Sequence, residues 1–86
     1  LLTSRALYPA FGPGTILGVS RVQPEHNQLG LFLVNREAFI RKLRRSRNKT
    51  KLVAVNLDYK DISLGERDEL KCLGTVLGAV RDYRWL

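Results

Sequence analysis

Few side chains in this 86-residue chain have the chemistry of a nucleophile, an acid–base group or a metal ligand. The one histidine, His26, follows Glu25 in a polar segment, which favours an exposed turn residue over an acid–base pair. The one cysteine, Cys72, cannot form an internal disulfide, and we interpret it as a small core residue rather than a reactive thiol. No Cys/His cluster offers metal ligands, and FGPG is a turn rather than a phosphate-binding loop. The sequence therefore predicts neither a metal nor a cofactor.

The segment TSRALYPAFGPGTILGV, residues 3–19, has the outline of a loop that presents a nucleophilic serine. A short strand precedes a tight Pro/Gly turn, and an apolar strand follows it. The position where such a loop would carry its hydroxyl is, however, Ala6. Ser4 would face the same side of an extended segment but would sit about 6.6 Å along it. We expect Ser4 to be an ordinary strand or turn serine, and a shifted nucleophile is the alternative.

The net charge of +7 comes from one segment, residues 36–51. It holds eight basic residues, Arg36, Arg41, Lys42, Arg44, Arg45, Arg47, Lys49 and Lys51. Glu37 is its one acidic residue, and the rest of the chain is balanced between basic and acidic side chains. Such a stripe can attract nucleic acid, but the tyrosines do not alternate with it as in a base-stacking platform. We therefore interpret residues 36–51 as a solvated hairpin tip rather than a nucleic-acid-binding surface.

Alternating and apolar runs between turn signals predict a single mostly-β domain over residues 1–86. The predicted strands are 15–22, 29–35, 37–45, 50–56 and 73–80, and the second of these is apolar enough to be buried on both faces. Residues 57–70 read mostly as loop because Gly65 sits badly inside a helix. No apolar run is long enough to span a membrane.

Three of these segments, in this order, resemble the C-terminal domains of LexA and related phage repressors: ALYPAFGPGTILGV, NREAFIRKLRRSRNKTKLVAVN and GTVLGAVRDYRWL. The resemblance covers nearly the whole chain. It implies a LexA C-terminal-domain-like fold of highly twisted antiparallel β-sheets that form a partial barrel. Members of that family are peptidases that cleave themselves with a Ser/Lys pair.

The resemblance also implies which positions correspond to that pair. In the family, a Gly-Asp-Ser-Met-x-Pro loop is followed by Pro-Asp-Gly-Asp and an apolar strand. The residues here that match this layout are Tyr8, Pro9, Phe11, Gly14 and Ile16. The same register assigns the nucleophile to Ala6 and, in the strand FIRKL, the lysine base to Arg41.

Neither residue can do the work of that pair. Alanine has no hydroxyl, and arginine keeps its proton in proteins, whereas a buried lysine can become neutral. The adjacent Lys42 does not replace the base, because Arg41 shares a strand face with Phe39 and Leu43 while Lys42 points the other way. Losing such catalytic groups can lower a rate roughly 10⁶-fold, so we expect no self-cleavage.

The remaining expected role is assembly. The family's domain dimerises a repressor whose N-terminal helix-turn-helix domain reads the operator DNA, so we expect such a domain upstream and a cytoplasmic, bacterial protein. The resemblance places the dimer contact on the terminal strand, at Thr75, Val76, Leu77, Gly78, Ala79, Val80, Arg81, Asp82, Tyr83 and Arg84. Gly74 and Gly78 would allow another backbone to approach this strand closely. Tyr83 and Trp85 are aromatic residues of the kind that anchor protein interfaces, although Trp85 fits the domain's own core equally well.

A repressor that cannot cleave itself needs another route of release. We therefore expect a phage or prophage repressor, released by a small antirepressor protein, with a homodimer or a higher oligomer as its assembled form. Two alternatives remain: an active self-processing peptidase that uses Ser4, and a small basic β-domain that binds nucleic acid directly through residues 36–51.

Overall fold

The computed structural model describes residues 2, 6–8, 11–81 and 84–85, with the backbone alone for 80–81 and 84–85. In these ranges the chain forms strands and turns without a helix. The strands are β1 (Leu17–Ser20), β2 (Leu29–Val34), β3 (Glu37–Ser46), β4 (Lys49–Val53), β5 (Ile62–Ser63), β6 (Leu70–Arg81) and β7 (Arg84–Trp85). The predicted mostly-β class is confirmed.

All the strand pairs are antiparallel, and the strands lie in the order β1-β6-β2-β3-β4-β5, with β7 pairing to β6. The long strand β6 therefore lies inside the sheet, between β1 and β2. The short strand β5, which pairs with β4, was missed within the segment 57–70 that the sequence predicts to be mostly loop. A strand of two residues is too short for the alternation of apolar and polar side chains to be recognised in the sequence.

The core lies under the middle of the sheet. Phe32, Val34, Leu43 and Leu52 are buried together, and partly buried side chains, including Cys72, pack against them. Along β2 the side chains alternate between buried and half-buried. The prediction that both faces of this strand are fully buried is therefore wrong for the face of Leu29, Leu31 and Leu33, because no second layer covers it completely.

A two-residue turn sets the register that fixes Arg41. Asn35 and Arg36 both have positive φ, 50° and 71°, as a type I′ hairpin turn requires. The turn joins β2 to β3 and places Gly30 opposite Arg41. Arg41 and Leu43 are consequently buried while Lys42 turns to the other face, as the alternation predicts.

The strand β6 is longer than predicted and is interrupted by two bulges. Its register shifts against β2 at Leu73 and against β1 at Leu77. A glycine follows each shift, Gly74 with φ +155° and Gly78 with φ +143°. At Gly74 the carbonyl oxygen of Ser20 occupies the place of a Cβ, so a side chain cannot be accommodated there.

No helix in the described ranges is both long and apolar enough to cross a membrane.

Candidate functional site

The segment around Ala6 is held by backbone hydrogen bonds. Leu2 donates to the carbonyl of Thr15 (2.7 Å) and accepts from Gly14 (2.6 Å), and Phe11 donates to Leu7 (3.0 Å). Gly14, with φ +91°, follows Pro13 in the order typical of a type II turn. This turn folds the segment back so that Ala6, only 4% exposed, lies inside the protein.

The backbone of Ala6 is also tied to the loop between β4 and β5. The amide of Asn56 donates to the carbonyl of Ala6 at 3.2 Å, and the Asn56 carbonyl accepts from Tyr59 at 3.0 Å. One loop therefore positions both Ala6 and Tyr59. Sequence reasoning missed this role of Asn56 and Tyr59, because a hydrogen bond between remote backbone groups leaves no residue pattern.

Arg41 reaches the same region from the middle of β3. Its side chain is 5% exposed, and Nη1 donates to the carbonyl of Ile40 at 2.8 Å. A longer bond, 3.4 Å, joins Nε to the carbonyl of Lys60. The guanidinium carbon lies 5.3 Å from the ring centre of Phe39 and 5.5 Å from that of Tyr59, within the range of cation–π attraction.

Ala6 and Arg41 line one cavity of about 380 Å³. Its other walls come from the N-terminal segment, β1, β2, β3 and the β4–β5 loop, and most of them are apolar; they are Leu2, Leu17, Val19, Leu31, Ala38, Phe39, Ile40 and Tyr59. The two positions that the resemblance assigns to a nucleophile and a base thus lie in one recess, which is what a shared reaction would require.

Arg41 stays charged in the recess although its surroundings lower its pKa. Burial lowers the pKa of the Arg41 guanidinium, while Tyr59 and Asp61 act in the opposite direction. Arginine nevertheless stays protonated in proteins. The recess therefore contains the positive charge of Arg41 and the methyl group of Ala6.

Asp61 supports this loop from its outer side. Its Oδ1 accepts from the amide of Ala54 at 2.8 Å, and its Oδ2 lies 3.5 Å from Nζ of Lys51. The hydrogen bond from Ala54 is the main cause that lowers the pKa of the Asp61 carboxyl. A short polar anchor therefore ends β4 and starts the loop that carries Tyr59 and Lys60.

The other sequence candidates lie elsewhere. Ser4 lies outside the described residues. His26 is exposed, as predicted. Its Nδ1 accepts a hydrogen bond from the amide of Arg45 at 2.9 Å, which links the 24–28 turn to the end of β3. Cys72 is half-buried against the core, in agreement with its prediction. The described residues contain no group of three or more His, Cys, Asp or Glu that could hold a metal.

The predicted contact strand is described in part. Residues 75–79 form the second half of β6 and pair with β1, whereas Val80 and Arg81 pair with β7 through their backbones. Pairing with β2 ends at Thr75, opposite Gly30. Asp82 and Tyr83 lie outside the described residues, and only the backbones of Arg84 and Trp85 are described.

The comparisons with known proteins agree with this geometry at the level of the family. A family model described as Peptidase S24-like matches residues 2–77, which include Ala6, Arg41 and the greater part of β6. A search of curated proteins finds no match.

Proposed function

The chain belongs to the Peptidase S24-like family, and we propose that it serves as the dimerisation domain of a LexA-like phage or prophage repressor that does not cleave itself. The observation that carries this proposal is the cavity shared by Ala6 and Arg41. The resemblance assigns the nucleophile and the base to these two positions, and each of the two side chains lacks the group needed for Ser/Lys catalysis.

The exposed side chain of Leu77 on β6 supports an assembly role. Leu77 is 60% exposed at the bulge in β6. In the described part of the chain, residues 76–79 have strand partners on the β1 side only. An open strand edge with an exposed leucine is suited to pairing with the same edge of a second copy, since a two-fold contact uses one surface twice.

Dimerisation explains how such a domain would serve a repressor. A two-fold dimer lets two DNA-binding domains engage two operator half-sites. The second contact becomes intramolecular, so binding is strengthened without new contacts to the DNA. In this proposal the protein acts in the bacterial cytoplasm, and a small antirepressor protein releases it because self-cleavage is lost.

Sedimentation equilibrium of the chain tests the assembly role. We expect a dimer, and Leu77→Asp should weaken it by roughly tenfold or more if Leu77 is an interface anchor. Leu57→Asp is the matched control, because Leu57 is 94% exposed in the loop between β4 and β5, and neither of these strands pairs with β6. A chain that stays monomeric, or a control that dissociates equally, would contradict the proposal.

Incubation of the full-length repressor tests the loss of cleavage. The protein should keep its length at alkaline pH and in the presence of activated RecA. Shortening under either condition would overturn the inactive assignment. If the Ser4→Ala variant then abolished that cleavage, a shifted nucleophile at Ser4 would be established instead.

A further inference from the structure

The β3–β4 hairpin places four cations on one outer face of the sheet. Arg44 lies directly opposite Lys51, and Ser46 lies opposite Lys49. Lys42 shares this face because side chains two residues apart on a strand point the same way. We call Lys42, Arg44, Lys49 and Lys51 the cationic face. Three of them are exposed and Lys42 is half-buried.

Three of the four members of the cationic face have no acidic partner within the described ranges. Like charges directly opposite each other destabilise a sheet, and Arg44 with Lys51 is such a pair. Lys51 and Asp61 form the one ion pair within the described ranges, and this leaves Lys42, Arg44 and Lys49 without an acidic partner there. A surface arranged in this way is stabilised when an anion with several charges binds it.

A recess of about 450 Å³ lies at the tip of the hairpin and is lined from both of its faces, with Arg45 and Thr50 on the face opposite to Arg44 and Lys51. Arg44, Lys49 and Lys51 line it together with hydroxyl groups from Ser46 and Ser63, and none of its described lining residues is acidic. Ser63 lies opposite Lys51 on β5, so the row of polar donors continues across three strands. Ammonium, guanidinium and hydroxyl groups together are the donors that contact phosphate oxygens in complexes with DNA.

We propose that the cationic face binds the phosphate backbone of duplex DNA without reading its sequence. The face has no aromatic side chain to stack on unpaired bases, which disfavours single strands. It also lacks the exposed apolar or aromatic residues that would insert into a membrane or anchor a protein partner. A duplex presents about one negative charge per 1.7 Å of its axis, which matches a surface of repeated charges.

Salt-dependent binding of the 86-residue chain to a fluorescent duplex of arbitrary sequence tests this proposal. About four phosphate contacts predict that log K falls with log salt concentration with a slope of about −3.6 per bound chain. Arg44→Gln combined with Lys51→Gln should weaken binding and reduce the slope by about 2. Both side chains are exposed, so thermal unfolding should verify that the variant remains folded.

The matched control is Arg67→Gln combined with Lys71→Gln. It removes the same two charges from exposed positions in the β5–β6 turn and on β6, and it should leave the slope unchanged. Equal losses in both variants would overturn the cationic face as the site, as would a lack of DNA binding at low salt. Tighter binding to phosphatidylserine vesicles than to DNA would also overturn it. The proposal does not rest on the repressor assignment, since a monomeric chain carries the same face.

Discussion

Ala6 and Arg41 line the same cavity, although one lies in the N-terminal turn and the other in the middle of β3. Three connections bring them together: the turn at Gly14, the hydrogen bond between Asn56 and Ala6, and the register between β2 and β3. None of these connections depends on the side chain at position 6. The shape of this region therefore does not require a particular side chain at position 6.

Restoring the pair should restore a reactive nucleophile. We expect Ala6→Ser combined with Arg41→Lys to react with a fluorophosphonate probe at position 6, because a buried lysine can lose its proton and activate a neighbouring hydroxyl. Labelling followed by peptide mass spectrometry measures this. The two single variants are the controls, and groups that act as a unit should leave each of them at background. Labelling of the unmodified chain would contradict the inactive assignment.

Arg41 should contribute to stability through its contacts. Arg41→Ala removes the hydrogen bond to Ile40 and the attraction to the rings of Phe39 and Tyr59. We expect a loss of about 1–3 kcal/mol in the free energy of unfolding. The exposed Arg44→Ala should change it by less than about 0.5 kcal/mol. Urea unfolding measures both, and equal values would mean that the buried contacts of Arg41 contribute little.

The two glycines of β6 should differ in their tolerance of alanine. A Cβ at Gly74 would overlap the carbonyl of Ser20, whereas a Cβ at Gly78 would have no atom of the described residues within 4 Å apart from its chain neighbours. Both positions have positive φ, so both substitutions carry backbone strain of about 1–3 kcal/mol. Gly74→Ala should lose at least about 1–3 kcal/mol more from the overlap. Thermal unfolding compares them, and a smaller loss at Gly74 would contradict the close approach of β1.

Acid should destabilise the protein through two anchored carboxylates. Hydrogen bonds lower the folded-state pKa of Asp61, mainly from the amide of Ala54, and of Asp68, mainly from the side chain of Asn35. A carboxyl whose pKa is lower in the folded state than in the unfolded state stabilises the protein at pH values above its unfolded-state pKa of about 3.9. This stabilisation is lost as the pH falls through the folded-state pKa. The melting temperature should therefore fall below about pH 4.

Asp61→Asn tests the first of these anchors. It should reduce the drop in melting temperature between about pH 6 and about pH 3, because the variant has no proton to take up at this position. Asp58→Asn is the control, since it removes the same charge from the same loop and its carboxylate accepts no hydrogen bond from the described residues. An unchanged acid response in Asp61→Asn would contradict the role of this carboxyl.

Local patterns in the sequence were sufficient for most of the strands. Alternation predicted that Arg41 and Leu43 point inward while Lys42 points outward, because the side-chain period of a strand is a property of its own backbone. The turn at Arg47 and Asn48 and the exposed basic tip of the hairpin were also predicted from local sequence. The prediction was weakest for the short β5 and for the second face of β2, where burial depends on which strands lie nearby.

The sequence by itself determined the chemistry that is available: no hydroxyl at Ala6, a permanent charge at Arg41 and an excess of cations in residues 36–51. Only the tertiary structure decided that Ala6 and Arg41 share a cavity, that Tyr59 lies beside Arg41, and that Arg44 faces Lys51. These relationships join residues on different strands. They depend on strand order and register, which the packing of the whole sheet selects and no local period encodes.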